Sequence, residues 1–349
     1  MFVSETANGT KAEMGANWIH GIDRNPIFNL CTQHHMLPPA YQGRQLGRKM
    51  MFLRESGDPV SVKTVQEVDM LYGMLMGQCE EFYQDHRPTE VENDSVGGFC
   101  AREFDHRFEH CTADDYHVRK MIFEQRLLGE CIIAGCNSMH EVSLSEIGAF
   151  EELPGVHYVI PPGFEAVIDL LKQDIPVEQL KLEHAVTNIN WNHADAATSD
   201  EDTATDGAAA PHNSNAKHYP VCVECQNGQR FYADHVIVTC SLGYLKKHQQ
   251  RLFSPALPPF KRDAVNSVNI GTVNKVILEF EEKVLPDEVF RLELVWDREN
   301  IENEDLSTSW VKKIGSMEVI SENGQVLVGE SLLPPRHIFR FRCFKDIAS

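Results

Sequence analysis

No apolar run in this sequence reaches the roughly 18 residues that a membrane-spanning helix needs, so no span is expected. No charged segment followed by an apolar one opens the chain, which argues against a secretory leader. Gly-x-Gly occurs nowhere in the 349 residues, so the Gly-x-Gly-x-x-Gly turn that offers backbone N–H groups to a dinucleotide pyrophosphate is absent. Positive charge is scarce: 32 Lys and Arg stand against 52 Asp and Glu, a formal net charge of -20. That argues against nucleic acid as a partner; the surplus either attracts small polycations or serves solubility alone. No internal repeat is apparent. Cys222 and Cys225 have no second Cys-x-x-Cys at zinc-site spacing, so no metal is expected there.

What is present describes a globular chain long enough for two domains, 42% hydrophobic and 24% charged. Ten cysteines are scattered along a chain too long to need covalent staples. They read as reduced thiols, and the expected compartment is the cytoplasm.

The densest chemistry lies in Glu13-Met14-Gly15-Ala16-Asn17-Trp18-Ile19-His20-Gly21. Gly15 and Ala16 let backbone approach a flat ligand, Trp18 adds an aromatic plane and His20 a titratable ring. A Trp beside a hydrogen-bonded His in an ordinary core corner fits the same residues. Residues 1–12 read as polar and aperiodic, and Asn25-Pro26 as a helix start. Turns and a small hairpin are expected over 38–60, and helices over about Val62–Tyr83 and Asp115–Ile133. The methionines of the first helix read as core filling. Residues 84–98 read as polar loop. Glu130 is a carboxylate in an apolar stretch, which either has a partner or a cation or reaches water at the helix end.

From Val156 the pattern changes to strands at 156–160, 180–182 and 185–191, with a helix starting at Phe164. Residues 194–217 are low in complexity and expected to form a disordered acidic insertion in a hairpin. Asp234–Gly243 reads as an apolar strand entering a small-residue turn, suited to a nucleotide or to an ordinary buried strand. Lys275 falls within an alternating strand, 272–280, where it either snorkels to solvent or is held for chemistry. Strands near 292–296, 310–314 and 325–328 precede a basic, irregular tail.

Taken in order, Gly15–Gly21, Glu130–Ser138, Met139–Leu144, Pro154–Phe164, His235–Lys246 and Gly271–Phe280 resemble the flavin-dependent polyamine oxidases. The likeness is greatest to the spermine oxidases, which carry a long polar insertion where 194–217 stands. The resemblance implies an α/β fold, mixed α+β, of the flavin amine oxidase type, with two interleaved domains. Residues 1–37 and 154–250 would form the FAD-binding domain, and 38–153 and 251–349 a substrate domain of helices against a mixed sheet. It implies FAD as cofactor and a polyamine and oxygen as reactants, with no nucleic acid and no membrane. The implied reaction oxidises a secondary amine to an aldehyde, a shorter amine and hydrogen peroxide; acetylated polyamines are the alternative substrate. Carried over residue by residue, Gly15, Ala16 and Trp18 would pass along the flavin, and His20 would stand at the mouth of the amine tunnel. Lys275 would hold a water against flavin N5, and Glu130, with His20, would grip a substrate ammonium. Val186 would meet the adenine end, and Thr239 and Leu242 would lie near the cofactor. The family opens with the pyrophosphate-binding glycine turn and closes with a segment that completes the flavin site. This sequence shows neither, so an incomplete cofactor site is expected, and with it the alternative of an inactive, truncated form.

Overall fold

The computed structural model describes residues 3–5, 9–37, 49–89, 91, 94–160, 163–192, 219–271, 273–298, 310–321, 323–332 and 340–343. Two units divide the chain: Met1–Lys172 with Gly271–Ser349, and Gln173–Ile270. In the first, β1 (Val3–Glu5) and β2 (Lys11–Glu13) pair antiparallel. The opening dozen residues are therefore not aperiodic coil, because three-residue strands are too short for alternation to register. After β3 (Trp18–Ile19), α1 (Pro26–Gln33) begins as expected: Asn25 accepts the N–H groups of Ile27 and Phe28 at 3.0 and 3.3 Å. β4 (Lys49–Arg54) turns back into the small hairpin expected: Leu53 bridges Pro59 antiparallel, with the Arg54 N–H on Asp58 O and the Val60 N–H on Phe52 O, each at 2.9 Å.

α2 (Val62–Gln84) buries Val65, Val68, Leu71, Leu75 and Cys79 on one stripe. Met70 and Met74 each precede a buried position by one residue, are turned about 100° away, and are 71% and 54% exposed. Reading the methionines of this helix as core filling is therefore corrected for Met70 and Met74, while Met76 does pack against the core. α3 (Val96–Phe108) was not expected, and the loop reading of 84–98 overruns its start. Its buried Val96, Cys100, Phe104 and Phe108 recur every four residues, but Gly97 and Gly98 mask the helix in sequence. Gly97 is demanded by packing: a Cβ there would lie 2.6 Å from the His140 nitrogen. α4 (Ala113–Ala134) is capped by Thr112 and ends on Gly135 in the left-handed conformation. α2, α3 and α4 share one core around Leu75, Val96 and Ile122. β5 (Tyr158–Val159) pairs antiparallel with β3, and α5 (Phe164–Lys172) follows.

The second unit holds a four-stranded sheet and two helices. Residues 180–182 are not a strand: a 3-10 turn spans Val177–Gln179, and Leu182 is exposed. β6 (Val186–Asn190), β7 (Val221–Cys225), β8 (Arg230–Ala233) and β9 (Phe253–Ser254) lie in the order β8-β7-β6-β9. The insertion at 194–217 lies outside the described residues. The run 234–240 carries no ladder among the described residues, and Ile237 is 89% exposed. Val236-Ile237-Val238 has the propensity of a strand, but a strand also needs a neighbour to pair with. α6 (Leu242–Leu252) is capped by Ser241, and α7 (Pro259–Ser267) completes the unit.

The chain then returns to the first unit as β10 (Asn274–Phe280), β11 (Val289–Val295), β12 (Ile314–Val319), β13 (Val326–Ser331) and β14 (Arg340–Cys343). The expected strand 310–314 is a 3-10 turn, Trp310–Lys313, with β12 starting where it ends. The tail is not wholly irregular either, since β14 pairs parallel with β10. The sheet runs β14-β10-β13-β12-β11-β4, antiparallel inside and parallel at both edges. The α/β class and the sheet-and-helix layer are thus as expected. The cysteines whose side chains are described are all free. Among the described residues no helix is long and apolar enough to cross a membrane.

Candidate functional site

Lys275 sits near the start of β10, opposite Glu330 of β13. Its ammonium does not snorkel. It donates to Glu13 O at 3.0 Å, Gly15 O at 2.6 Å and Asn17 Oδ1 at 3.0 Å. A lysine has three donors, and all three meet oxygens of one turn. Burial pulls this ammonium below its usual pKa, while the charges of Glu330 and Glu13 oppose the drop.

That turn is held from several sides. Ala12 and Ile19 are buried before and after it. Asn25 Nδ2, besides its capping role, donates to His20 O and Gly21 O at 3.2 and 2.9 Å. Gly21 has φ 64°, and a Cβ there would meet Leu153 O at 1.9 Å, so no other residue fits. Glu13 Oε1 accepts the Phe164 N–H at the start of α5, at 3.0 Å. Its Oε2 is buried with no hydrogen-bond partner among the described residues. Gly15 and Ala16 are exposed, and a Cβ on Gly15 would touch nothing within 4 Å. The exposed His20 ring stands 5.1 Å from that of His157, edge to face. His157 Nδ1 accepts the Gly21 N–H at 3.3 Å, and its Nε2 lies 3.5 Å from Glu152.

Gly15, Ala16, Trp18, His20 and Lys275 are therefore brought together, although Lys275 lies far along the chain from the others. Glu130 is not drawn to the lysine. On α4, it accepts a hydrogen bond from the Tyr72 hydroxyl of α2, so it neither stands unpartnered nor simply reaches water. Its charge and burial push the Tyr72 hydroxyl well above the usual range, burial most of all. Val186, Thr239 and Leu242 lie in the second unit: at the start of β6, in the exposed run before α6, and at the first residue of α6. Sequence reasoning assigned no role to Glu13, Asn17 or Tyr72. Glu13 and Asn17 flank the small pair that was singled out, and that adjacency was the available signal; nothing in the sequence ties Tyr72 to Glu130.

Comparison with known proteins places the chain in a family. The family described as flavin containing amine oxidoreductase matches over residues 2–328. The peroxisomal N(1)-acetyl-spermine/spermidine oxidase of Homo sapiens is 31% identical over 89% of this chain and 60% of its own. The Bos taurus protein of that name is 29% identical over the same shares, 89% and 60%. The probable polyamine oxidase 5 of Arabidopsis thaliana is 27% identical over 91% of this chain and 61% of its own. The chain thus spans about 60% of the length of these relatives. A CLA-producing fatty acid isomerase from P. acnes superposes with a TM-score of 0.51 at 10% identity, covering 97% of this chain and 70% of that one, a likeness of fold alone.

Proposed function

We propose a reaction on one premise: this chain belongs to the flavin-containing amine oxidoreductase family. The family implies FAD as cofactor. Two features of the turn fit such a group. Open space over Gly15 admits a flat ring, and the unpartnered Glu13 Oε2 can accept from a hydroxyl or N–H. Glu13, Gly15, Ala16 and Trp18 of the first unit are assigned to hold it. When bound, FAD supplies the acceptor for a hydride from the carbon beside an amine nitrogen.

The reaction is oxidation of a polyamine at a secondary amine, with spermine as the type, to an aldehyde, a shorter amine and hydrogen peroxide. The observation that carries it is Lys275, lodged with three hydrogen bonds against the Glu13–Asn17 turn. The ammonium fixes the backbone on which the ring would rest. To hold a water as well, it must release one acceptor. The Asn17 amide is the one that can rotate away, since the other two are backbone. Glu130 takes the distal substrate ammonium, its carboxylate oriented by Tyr72. His20, exposed at the edge of the site, meets the incoming amine. A net charge of -20 attracts a polycation to the whole surface. The names of the mammalian relatives support a second substrate reading, N1-acetylated polyamines. The division into a FAD-binding domain, 1–37 and 154–250, and a substrate domain, 38–153 and 251–349, is part of the proposal, as is a cytoplasmic location.

The test supplies the chain with FAD in excess and either spermine or N1-acetylspermine, and measures hydrogen peroxide. Peroxide from spermine is expected, faster than from the acetylated amine. The reverse preference selects the second reading. No peroxide from either, with no polyamine-induced thermal shift, overturns both.

A further inference from the structure

The end of α4 is built from sulfur. Gly135 stops the helix at φ 64°, and the Cys136 N–H closes the turn on Cys131 O at 3.0 Å. A helix terminated this way presses together the side chains at those two positions, a contact usually filled by aliphatic groups. Here both are cysteines, 4% and 7% exposed, so the turn sets two thiols side by side. Met139 Sδ lies 4.0 Å from Cys136 Sγ. Aliphatic side chains would serve the packing equally well, and the site described above uses neither thiol. The same turn bears on that site through Gly135 O, which accepts the Gly271 N–H at 2.6 Å just before β10.

We propose that Cys131 and Cys136 are an oxidative modification site, a dithiol that hydrogen peroxide converts to an intramolecular disulfide. The Cys136 thiolate attacks one peroxide oxygen. The O–O bond breaks, hydroxide leaves and is protonated to water, and Cys136 becomes a sulfenic acid. The Cys131 sulfur gives up its proton and displaces the hydroxyl. An S–S bond forms, the S–O bond breaks, and a second water departs. Two thiols lose two electrons and two protons, and one peroxide becomes two waters. Cys136 is the attacking group because the neighbouring Cys131 thiol, and then the Ser138 N–H, hold its pKa below the usual thiol value against burial, whereas Cys131 is pushed up. Cys79 of α2 and Cys100 of α3 are a second pair of neighbouring thiols, but both are 0% exposed and anchored in separate helices. Cys131 and Cys136 instead occupy a helix end, where local opening is least costly. The proposed reaction would generate the oxidant, but the step needs only peroxide, so its test is independent of that reading.

One tryptic peptide, residues 127–172, carries both cysteines and no other. The full chain is treated with hydrogen peroxide, denatured, alkylated and digested. This peptide is expected two hydrogens lighter and without alkyl groups, restored to its doubly alkylated form by dithiothreitol, while Cys79 and Cys100 stay alkylated. With Cys131→Ala, a sulfenic acid at Cys136 that dimedone traps is expected in place of the disulfide; if this variant does not fold, the wild-type masses decide alone. Two results overturn the proposal: a doubly alkylated peptide under peroxide that fully oxidises the exposed Cys240, or sulfinic acid at Cys136 with Cys131 still alkylated.

Discussion

Lys275 turns all its donors onto one turn, so its removal has two separable effects. Lys275→Met leaves three oxygens without this partner and is expected to destabilise the chain by about 1–3 kcal/mol, read by urea unfolding. With FAD in excess, anaerobic bleaching of the flavin by spermine is expected to slow at least about tenfold, about 1.4 kcal/mol of barrier. An unchanged limiting rate returns Lys275 to a structural role. His20→Ala is expected to act on apparent amine affinity instead. Glu318 of β12 offers a pH readout. Burial holds its carboxyl above the ordinary carboxylate value, Arg291 pulls it back, and Glu330 and Glu293 add to the rise. A carboxyl raised on folding contributes stability that is present below the unfolded value of 4.5 and lost as pH rises through the folded one. Glu318→Gln is therefore expected to raise the melting temperature at pH 7, with the gain vanishing below pH 4.5. A gain that persists in acid would point to packing rather than charge.

Helix α3 is an element that few sequence signals announce and much of the core depends on. Phe104 is 2% exposed and its ring meets those of Phe108, Tyr116 and Phe123. Phe104→Ala is expected to cost about 3–5 kcal/mol, whereas Met70→Ser on the outer face of α2 should stay within about 0.5 kcal/mol; both are measured by urea unfolding. α1, α2 and α4 were legible because caps and stripes are local: Asn25-Pro26 for α1, Val65 to Leu75 for α2, and Val118 to Leu128 for α4. α3 was not, because Gly97, one of its two glycines, is required by a chain segment over forty residues away, at His140. The same limit governed 234–240, where propensity was read correctly and pairing could not be. At the site, alternation placed Lys275 on a half-buried strand but could not say what stood opposite its ammonium. That is set by a turn near the start of the chain. The resemblance to a family, not the local pattern, joined the two stretches.

At the scale of the whole molecule, the lack of any Gly-x-Gly turn predicts weak flavin retention. The chain is expected to emerge colourless from gel filtration and to need FAD in excess; stoichiometric co-eluting flavin would show that other N–H groups hold the pyrophosphate. The net charge of -20 predicts that raising salt from about 0.1 to about 1 M, which shortens the screening length from about 10 to about 3 Å, raises the KM for spermine and leaves kcat unchanged. A salt-independent KM would confine the attraction to the carboxylates in contact with substrate. The parallel edges of the six-stranded sheet carry a further consequence, one of timing. β4 pairs with β11, and between them in sequence lies the whole of the second unit. On a ribosome adding about 5–20 residues per second, β4 waits on the order of ten seconds or more for its neighbour, an apolar edge open to other chains. The second unit is complete while the first is still unfinished, and Lys275 reaches the turn it fastens only after the second unit has been made. A cell making this chain must shield that early strand, and a shortage of chaperone should be felt first there, as aggregation of nascent chains arrested before residue 289.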